Sequence, residues 1–571
     1  MTNYHAEYQK WLNADALSTE EREELLNIQS DDGQKALLFS KPLSFGTAGL
    51  RGIMRTGLNA INRHTVAHAT QGLAALILKE GRAQDGVAIA YDSRNNSPLF
   101  ARTAACVLAG NGIKSYLFDG LRPTPELSFA LRELGCVAGI NITASHNPKE
   151  YNGYKAYWED GAQLPPEHAA TVSAEIAKVD IFGGIRSMDY DAALQSGIIE
   201  LIGEDIDEKY LEAVQAQAVN PDAVKAVADD LKIVYSPLHG AGHRLVPEVL
   251  KRMGLRHLYP VSEQMVTDGN FPTVKKPNPE YPEVFALGIE LANKVGSDLI
   301  VATDPDADRV GVMTRTCDGS FRTVTGNQMG ALLLDYIITA YRETNTMPKG
   351  PYAVKSIVST ELATRICEAN GVKMHNVLTG FKFIGEVIKN YEKTGDGSFL
   401  FGFEESYGYL KGTYARDKDA VVTSMLICEM TAYYRAKGMT LYDALTALWR
   451  KYGFFYESTR ELYMEGLEGA SRMAALMESL RSTPPARFGE ADVTLVADYQ
   501  KQTVTEGGIV RSTGMPASNV LYYGLSNRDV IVVRPSGTEP KIKFYYLLNA
   551  DNEAEAEKKI NGYLETLNKL I

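Results

Sequence analysis

The chain is short of several things that would have set its class at once. Its five cysteines, Cys106, Cys136, Cys317, Cys367 and Cys428, are scattered and odd in number. They form no C-x-x-C pair, which argues against a disulfide framework or a zinc site and for reduced thiols in the core. No run of about 18 apolar residues exists, so no membrane span is expected. The first ten residues are polar and lack the basic-then-apolar order of a signal peptide. The N-x-[ST] matches at Asn95 and Asn141 are then chance, and a cytoplasmic protein is expected. Positive charge is in deficit: 59 Lys and Arg stand against 71 Asp and Glu, a net charge of −12. Nucleic-acid partners are therefore not expected. If the ligand is an anion, the cations must be gathered locally. A P-loop, G-x-x-x-x-G-K-[ST], is also missing. Gly240-Ala241-Gly242-His243-Arg244-Leu245 resembles a dinucleotide fingerprint but lacks its third glycine.

What is present is ample. The 571 residues are 45% hydrophobic, enough at roughly 100–200 residues per domain for about three to five domains. Residues 1–40 read as an acidic helical extension, a solvated surface appendage. In it Ser18-Thr19-Glu20-Glu21 has the spacing of a capping box ahead of Leu25 and Leu26. Beyond it, short apolar strands alternate with helical stretches. Val87–Tyr91 runs into Asp92-Ser93-Arg94, Ile233–Tyr235 into Ser236-Pro237-Leu238-His239-Gly240, Leu299–Ala302 into Asp304, and Ala353–Val358 into Ser359-Thr360. This rhythm predicts α/β structure, with ligands beyond the carboxyl ends of the strands. The last stretch differs. Strands are expected at Val520–Tyr523, Val530–Val533 and Ile542–Leu548, then a helix from Glu553 to Leu570, which together make a small α+β domain. The borders expected are 41–205, 206–323, 324–450 and 451–571.

Six segments can carry chemistry. The strand Val137–Ile142 delivers Thr143-Ala144-Ser145-His146-Asn147-Pro148. Ser145 has no G-x-S-x-G elbow, which counts against acyl transfer. As a phosphate carrier it needs only cations nearby, and His146 and Lys155 are near in sequence. An ordinary polar turn fits the loop equally. Asp304, Asp306 and Asp308 alternate directly after a strand and can converge on a hard cation such as Mg²⁺. Arg309 and Arg315 stand where an EF-hand needs Gly and Glu, and Asp308 breaks the D-x-D-x-[TV] phosphatase pattern. A solvated acidic turn is the plain alternative. Arg534-Pro535-Ser536-Gly537-Thr538-Glu539-Pro540-Lys541 has the make-up of an anion nest, and equally of a β-turn. Three further polar clusters, Phe45–Gly52 with its Arg51, Phe403–Gly408 and Ala415–Asp419, supply a guanidinium, hydroxyl-binding acceptors and Lys418.

Taken together and in chain order, the segments resemble the α-D-phosphohexomutase superfamily, specifically its phosphoglucomutase group, from about Phe45 to Lys543. The resemblance implies three similar α/β domains around a cleft, closed by a phosphate-binding α+β domain. It implies a phosphorylated Ser145 that also ligates Mg²⁺ with Asp304, Asp306 and Asp308. Arg51, His146, Lys155 and Lys418 would be cations serving proton transfer or charge stabilisation, with Lys418 the first and Lys155 the second choice of base. Arg309, Thr379, Gly380, Glu404 and Ser406 would meet the substrate, and Arg534, Ser536, Gly537 and Thr538 its distal phosphate. The sugar loop reads Gly-Phe-Glu-Glu-Ser where Gly-Glu-x-Ser is commoner, and Ala48 stands where Ser is common. The implied reaction interconverts glucose 1-phosphate and glucose 6-phosphate through glucose 1,6-bisphosphate, in a monomer or homodimer. Mannose or pentose phosphates are the alternatives within the family. A silent sugar-phosphate-binding protein is the alternative outside it.

Overall fold

A computed structural model describes residues 3–47, 49–464, 469–536 and 541–568. The chain folds as two compact units. The first holds residues 1–324, 388–393 and 407–440, the second residues 325–387, 394–406 and 441–571.

The first unit carries two α/β sheets. One has six strands in the order Leu50–Ile53, Tyr151–Trp158, Ala138–Ile142, Val87–Tyr91, Ser115–Phe118, Ile199–Ile202. Val87–Tyr91 runs parallel to both Ser115–Phe118 and Ala138–Ile142, whereas Tyr151–Trp158 returns antiparallel to Ala138–Ile142. The strand Ala138–Ile142 is buried throughout, as expected for a parallel strand covered on both faces. Helices Arg63–Lys79 and Ser97–Gly110 bury their apolar faces in the same core, among Leu73, Ile77, Ile89, Phe100 and Ile140. The other sheet has five strands, Phe321–Val324, Val310–Arg315, Leu299–Thr303, Lys232–Ser236 and His257–Pro260 in spatial order. Its three last strands are parallel. The buried helix Ala420–Ala436, capped by Asp419, also belongs to this unit.

The N-terminal extension is not the solvated appendage expected of it. Helices Tyr4–Leu12, Thr19–Asn27 and Asp32–Phe39 enclose a core of their own, in which Trp11, Leu25 and Phe39 are fully buried alongside Ala60 and Ile181. The acidic surface masked this, because the buried apolar residues are few and Leu26 and Leu37 lie exposed among the acids. The capping box at Ser18 does form: Glu21 N–H donates to Ser18 Oγ at 3.2 Å, and Ser18 N–H to Glu21 Oε2 at 2.8 Å.

In the second unit, Pro351–Ser356 lies parallel to Lys373–Val377 and Ser398–Glu404. The expected strand Ala353–Val358 stops at Ser356. Ile357 and Val358 turn out of it to pack on Val532, Tyr545 and Leu547. Those residues belong to an antiparallel sheet that runs from Phe454–Tyr463 through Lys541–Ala550, Val530–Pro535, Leu521–Leu525 and Ala491–Asp498 to the hairpin Thr503–Glu506 and Ile509–Ser512. Helix Glu553–Asn568 covers it. The chain is thus α/β, with a C-terminal α+β part.

Candidate active site

Three strand ends of the first unit place the reactive groups, where ligands of such sheets bind. Ser145 follows Ala138–Ile142 and takes a left-handed backbone, φ 52°. That conformation is uncommon for a residue with a side chain and marks a constrained position. The constraint is visible. Ser145 N–H donates to Thr143 Oγ1 at 2.8 Å, and Thr143 Oγ1 donates to Asp92 Oδ2 at 2.6 Å. Arg94, fully buried, gives its guanidinium to the carbonyls of Ser145 and Asn147, and to those of Pro148 and Tyr151 at 2.9 Å each. Asp92 pairs with this cation at 3.3 Å, and the Phe271 ring lies 5.1 Å from it. Four carbonyls on one rigid fork fix the loop, and the buried carboxylate balances the charge.

The backbone leaves Ser145 Oγ directed at the aspartates. It donates to Asp304 Oδ2 at 2.8 Å and lies 3.2 Å from His146 Nδ1. Asp304, Asp306 and Asp308 present ligand oxygens within 4.8 Å of one another, all buried. Asp304 is held by its own loop, accepting from the N–H groups of Asp308 at 3.1 Å and Arg309 at 3.0 Å. The loop packs so closely that a Cβ on Gly240 would fall 2.4 Å from Pro305 Cα. Lys155 Nζ reaches Asp306 Oδ2 at 2.6 Å and Asp308 Oδ2 at 3.3 Å. Lys418 Nζ reaches Asp308 Oδ2 at 3.2 Å and Asp417 Oδ1 at 2.9 Å. Its side chain passes over Gly408, where a Cβ would meet Lys418 Cδ at 2.1 Å. Arg51, exposed, donates to Asn147 Oδ1 at 3.1 Å, and Arg309 pairs with Glu280 at 2.6 Å.

The cluster sorts its charges. Burial, then the neighbouring Asp306 and Asp308, push the Asp304 carboxyl well up. Burial also pushes Asp306 and Asp308 up, but lysines reverse it: Lys155 holds Asp306 below its ordinary value, and Lys418 with Lys155 does so for Asp308. Burial, with Arg309 and Arg51 nearby, pushes His146 well down, so its imidazole is neutral rather than the expected cation. For Lys155, burial lowers the pKa but Asp306 and Asp308 more than restore it. Its two carboxylate partners favour the ammonium form.

The second unit carries the other expected residues. Glu404 ends a strand, is buried, and accepts from Gly380 N–H at 2.6 Å, so the segment holding Thr379 and Gly380 meets this glutamate. Ser406 is half-buried. Arg534 and Ser536 sit half-buried at the end of Val530–Pro535, where Ser536 N–H donates to Lys541 O at 2.8 Å. Gly537 and Thr538 lie outside the described residues. Sequence reasoning passed over Asp92 and Arg94 as site residues, although both were visible at a strand end. It gave no role to Thr124, whose Oγ1 donates to Asp306 Oδ2 at 2.7 Å, or to Asp417.

Known proteins are similar to this chain along most of its length. Residues 42–181, 208–319 and 325–452 match the alpha/beta/alpha domains I, II and III of phosphoglucomutase/phosphomannomutase. The chain belongs to the phosphoglucomutase/phosphomannomutase family. It is 38% identical over 533 residues to the phosphoglucomutase of Staphylococcus haemolyticus, covering 92% of this chain and 94% of that one. With the phosphoglucomutase of Staphylococcus saprophyticus it shares 36% identity over 536 residues, 94% and 95% of the two chains. Among solved structures, the open form of the Paramecium phosphoglucomutase pp63/parafusin shares the fold at a TM-score of 0.70 and 19% identity, over 92% and 94% of the chains. Membership makes the chain an isomerase of the phosphotransferring mutase kind. Among the described residues of this family member, no helix is long and apolar enough to cross a membrane.

Proposed function

We propose that the protein interconverts glucose 1-phosphate and glucose 6-phosphate, with Ser145 as phosphoryl carrier and glucose 1,6-bisphosphate as the intermediate. The observation that carries this is Ser145 Oγ, 2.8 Å from Asp304 inside a buried trio of carboxylates flanked by Lys155 and Lys418. Relatives named phosphoglucomutase support the choice of glucose.

The trio suits Mg²⁺. Its donors are hard oxygens. Asp306 Oδ1 and Asp308 Oδ1 are buried without a hydrogen-bond partner, a costly arrangement unless a cation takes them. Asp304, Asp306, Asp308 and an oxygen on Ser145 would hold the ion, which when bound supplies positive charge beside the transferring phosphoryl group. The protein's own residues do the rest. Arg94 keeps the Ser145 loop in place. Lys155 stabilises charge on the phosphoryl oxygens, where most catalysis of this reaction lies. Lys418, positioned by Asp417, is assigned the proton of the attacking sugar hydroxyl. Neutral His146 can take the Ser145 proton when the serine recovers its phosphoryl group. Glu404 and Ser406, with Thr379 and Gly380, are assigned the sugar hydroxyls, and Arg534, Ser536, Gly537 and Thr538 the phosphate that does not react. Arg309 and Arg51 are assigned phosphate contacts.

Ser145→Ala tests the carrier. Turnover should fall by at least about a thousandfold, the scale on which removal of a nucleophile acts, and the wild-type protein's extra phosphoryl mass, mapped to Ser145, should vanish. A variant that keeps full activity sinks the proposal. A coupled assay over glucose, mannose and ribose 1-phosphates tests the sugar, and a glucose rate below that for ribose overturns it.

A further inference from the structure

The turn Arg122-Pro123-Thr124-Pro125 opens the helix Thr124–Glu133, far in sequence from both reactive loops. Pro123 precedes the helix and offers no side-chain cap. The N–H of Thr124 therefore looks outward for a partner and finds the Asp306 carbonyl at 2.8 Å. Its hydroxyl donates to Asp306 Oδ2 at 2.7 Å. One residue thus grips Asp306 by both backbone and side chain.

That hydroxyl has a single hydrogen, and the structure commits it. Asn141 Nδ2 donates to Thr124 Oγ1 at 2.7 Å, so toward Asn141 the threonine oxygen acts as acceptor, and its proton goes to the carboxylate, which when ionised can only accept. Thr124 and Asn141 are both fully buried, where no water competes. Asn141 sits on the strand Ala138–Ile142, four positions before Ser145. The turn itself is anchored. Arg122 forms a two-pronged pair with Asp207 at 2.6 and 3.0 Å, with both side chains buried, and its N–H donates to Tyr91 O at 3.1 Å.

We infer that Thr124 is a positioning residue for the metal ligand Asp306, joining the serine-bearing strand to the metal site through the chain Asn141–Thr124–Asp306. The inference rests on the metal-site reading above. The terminal torsion of an aspartate is broad and nearly two-fold, so a carboxylate needs outside partners to choose which oxygen it presents. Asp306 Oδ2 is taken by Thr124 and by Lys155 at 2.6 Å, which leaves Oδ1 bare for the ion. Lysine is a flexible point charge and does not define the plane of the carboxylate. The rigid threonine does. Partners that orient ligands in this way are worth about 10- to 100-fold in metal affinity.

The test measures Mn²⁺ binding to the full-length protein by the loss of its free-ion paramagnetic resonance signal, without substrate. Wild type, Thr124→Val, Thr124→Ser and Asp306→Asn are compared, together with melting temperatures in metal-free buffer. Thr124→Val is expected to bind about tenfold or more weakly, Thr124→Ser to restore wild-type affinity, and Asp306→Asn to be the weakest. If the valine variant does not fold, Thr124→Ala against Thr124→Ser makes the same comparison. Wild-type binding with Thr124→Val unchanged overturns the inference alone. A wild type that binds no Mn²⁺ overturns the metal reading and the inference with it.

Discussion

The Ser145–Asp304 cluster and the Arg534 loop are both assigned to phosphate in the proposed function, yet they are held differently. Around Ser145 the supporting groups are buried and cross-linked: Asp92, Thr143 and Arg94 fix the backbone, and two lysines meet the carboxylates. Around Arg534 the described side chains are half-buried at the end of a strand paired with Lys541–Ala550, and Ser536 N–H donates to Lys541 O. A group that must transfer a phosphoryl needs fixed geometry and low dielectric. A group that only grips a phosphate needs access, and its cation works from the rim.

The first way to break this contrast is Arg94→Met. Losing a guanidinium that serves four carbonyls and one buried carboxylate should cost about 3–5 kcal/mol of stability, seen as a lower denaturant midpoint. kcat should fall with it. A variant of native stability and native kcat would show that the Ser145 loop holds itself. Next comes Arg534→Ala. Loss of a charged hydrogen bond to a bound anion is worth about 1.5–3 kcal/mol, so KM should rise roughly ten- to a hundredfold while the melting temperature stays put. A fall in kcat alone would place Arg534 with the chemistry instead.

The smallest effect sharpens the comparison from inside the second unit. Glu457, on the strand Phe454–Tyr463, has a carboxyl oxygen sealed from solvent without a hydrogen-bond partner. Burial pushes its pKa up from 4.5 to about 7, against the lowering effect of Thr360 and Lys355. A raised carboxyl holds its proton in the folded protein after the unfolded chain has lost it, so stability falls as pH rises from about 4.5 to about 7. Glu457→Gln should remove that slope. The variant should melt a few degrees above wild type at pH 8 and level with it at pH 4. Equal melting temperatures at pH 8 would show that the acid is compensated.

Most of the strand ends were legible, because a buried parallel strand followed by a polar cluster is a local signal. Val87–Tyr91 and Ala138–Ile142 lie within a residue of where the sequence puts them. The aspartate trio was legible for the same reason: three acids directly after a buried strand have no cheap alternative. Thr124 and Arg94 were not. Nothing near Arg94 shows that its guanidinium meets a carbonyl 51 residues away, and nothing near Thr124 points to an aspartate 182 residues away. The long strand Phe454–Tyr463 and the hairpin Thr503–Ser512 were also missed. Their exposed edges carry polar and charged residues that blur the alternation. The buried core of the first forty residues was hidden by composition, since Trp11, Leu25 and Phe39 are few among acids.

The cradle beneath Ser145 has one more consequence. A loop clasped at four carbonyls by a single buried cation cannot swing to follow its cargo. If one fixed post must both hand over a phosphoryl group and collect another, from opposite ends of the same sugar, then the traveller has to turn around. The freedom that the reaction requires therefore belongs to the sugar, and the protein's task between the two transfers is to keep hold of something it has to let rotate.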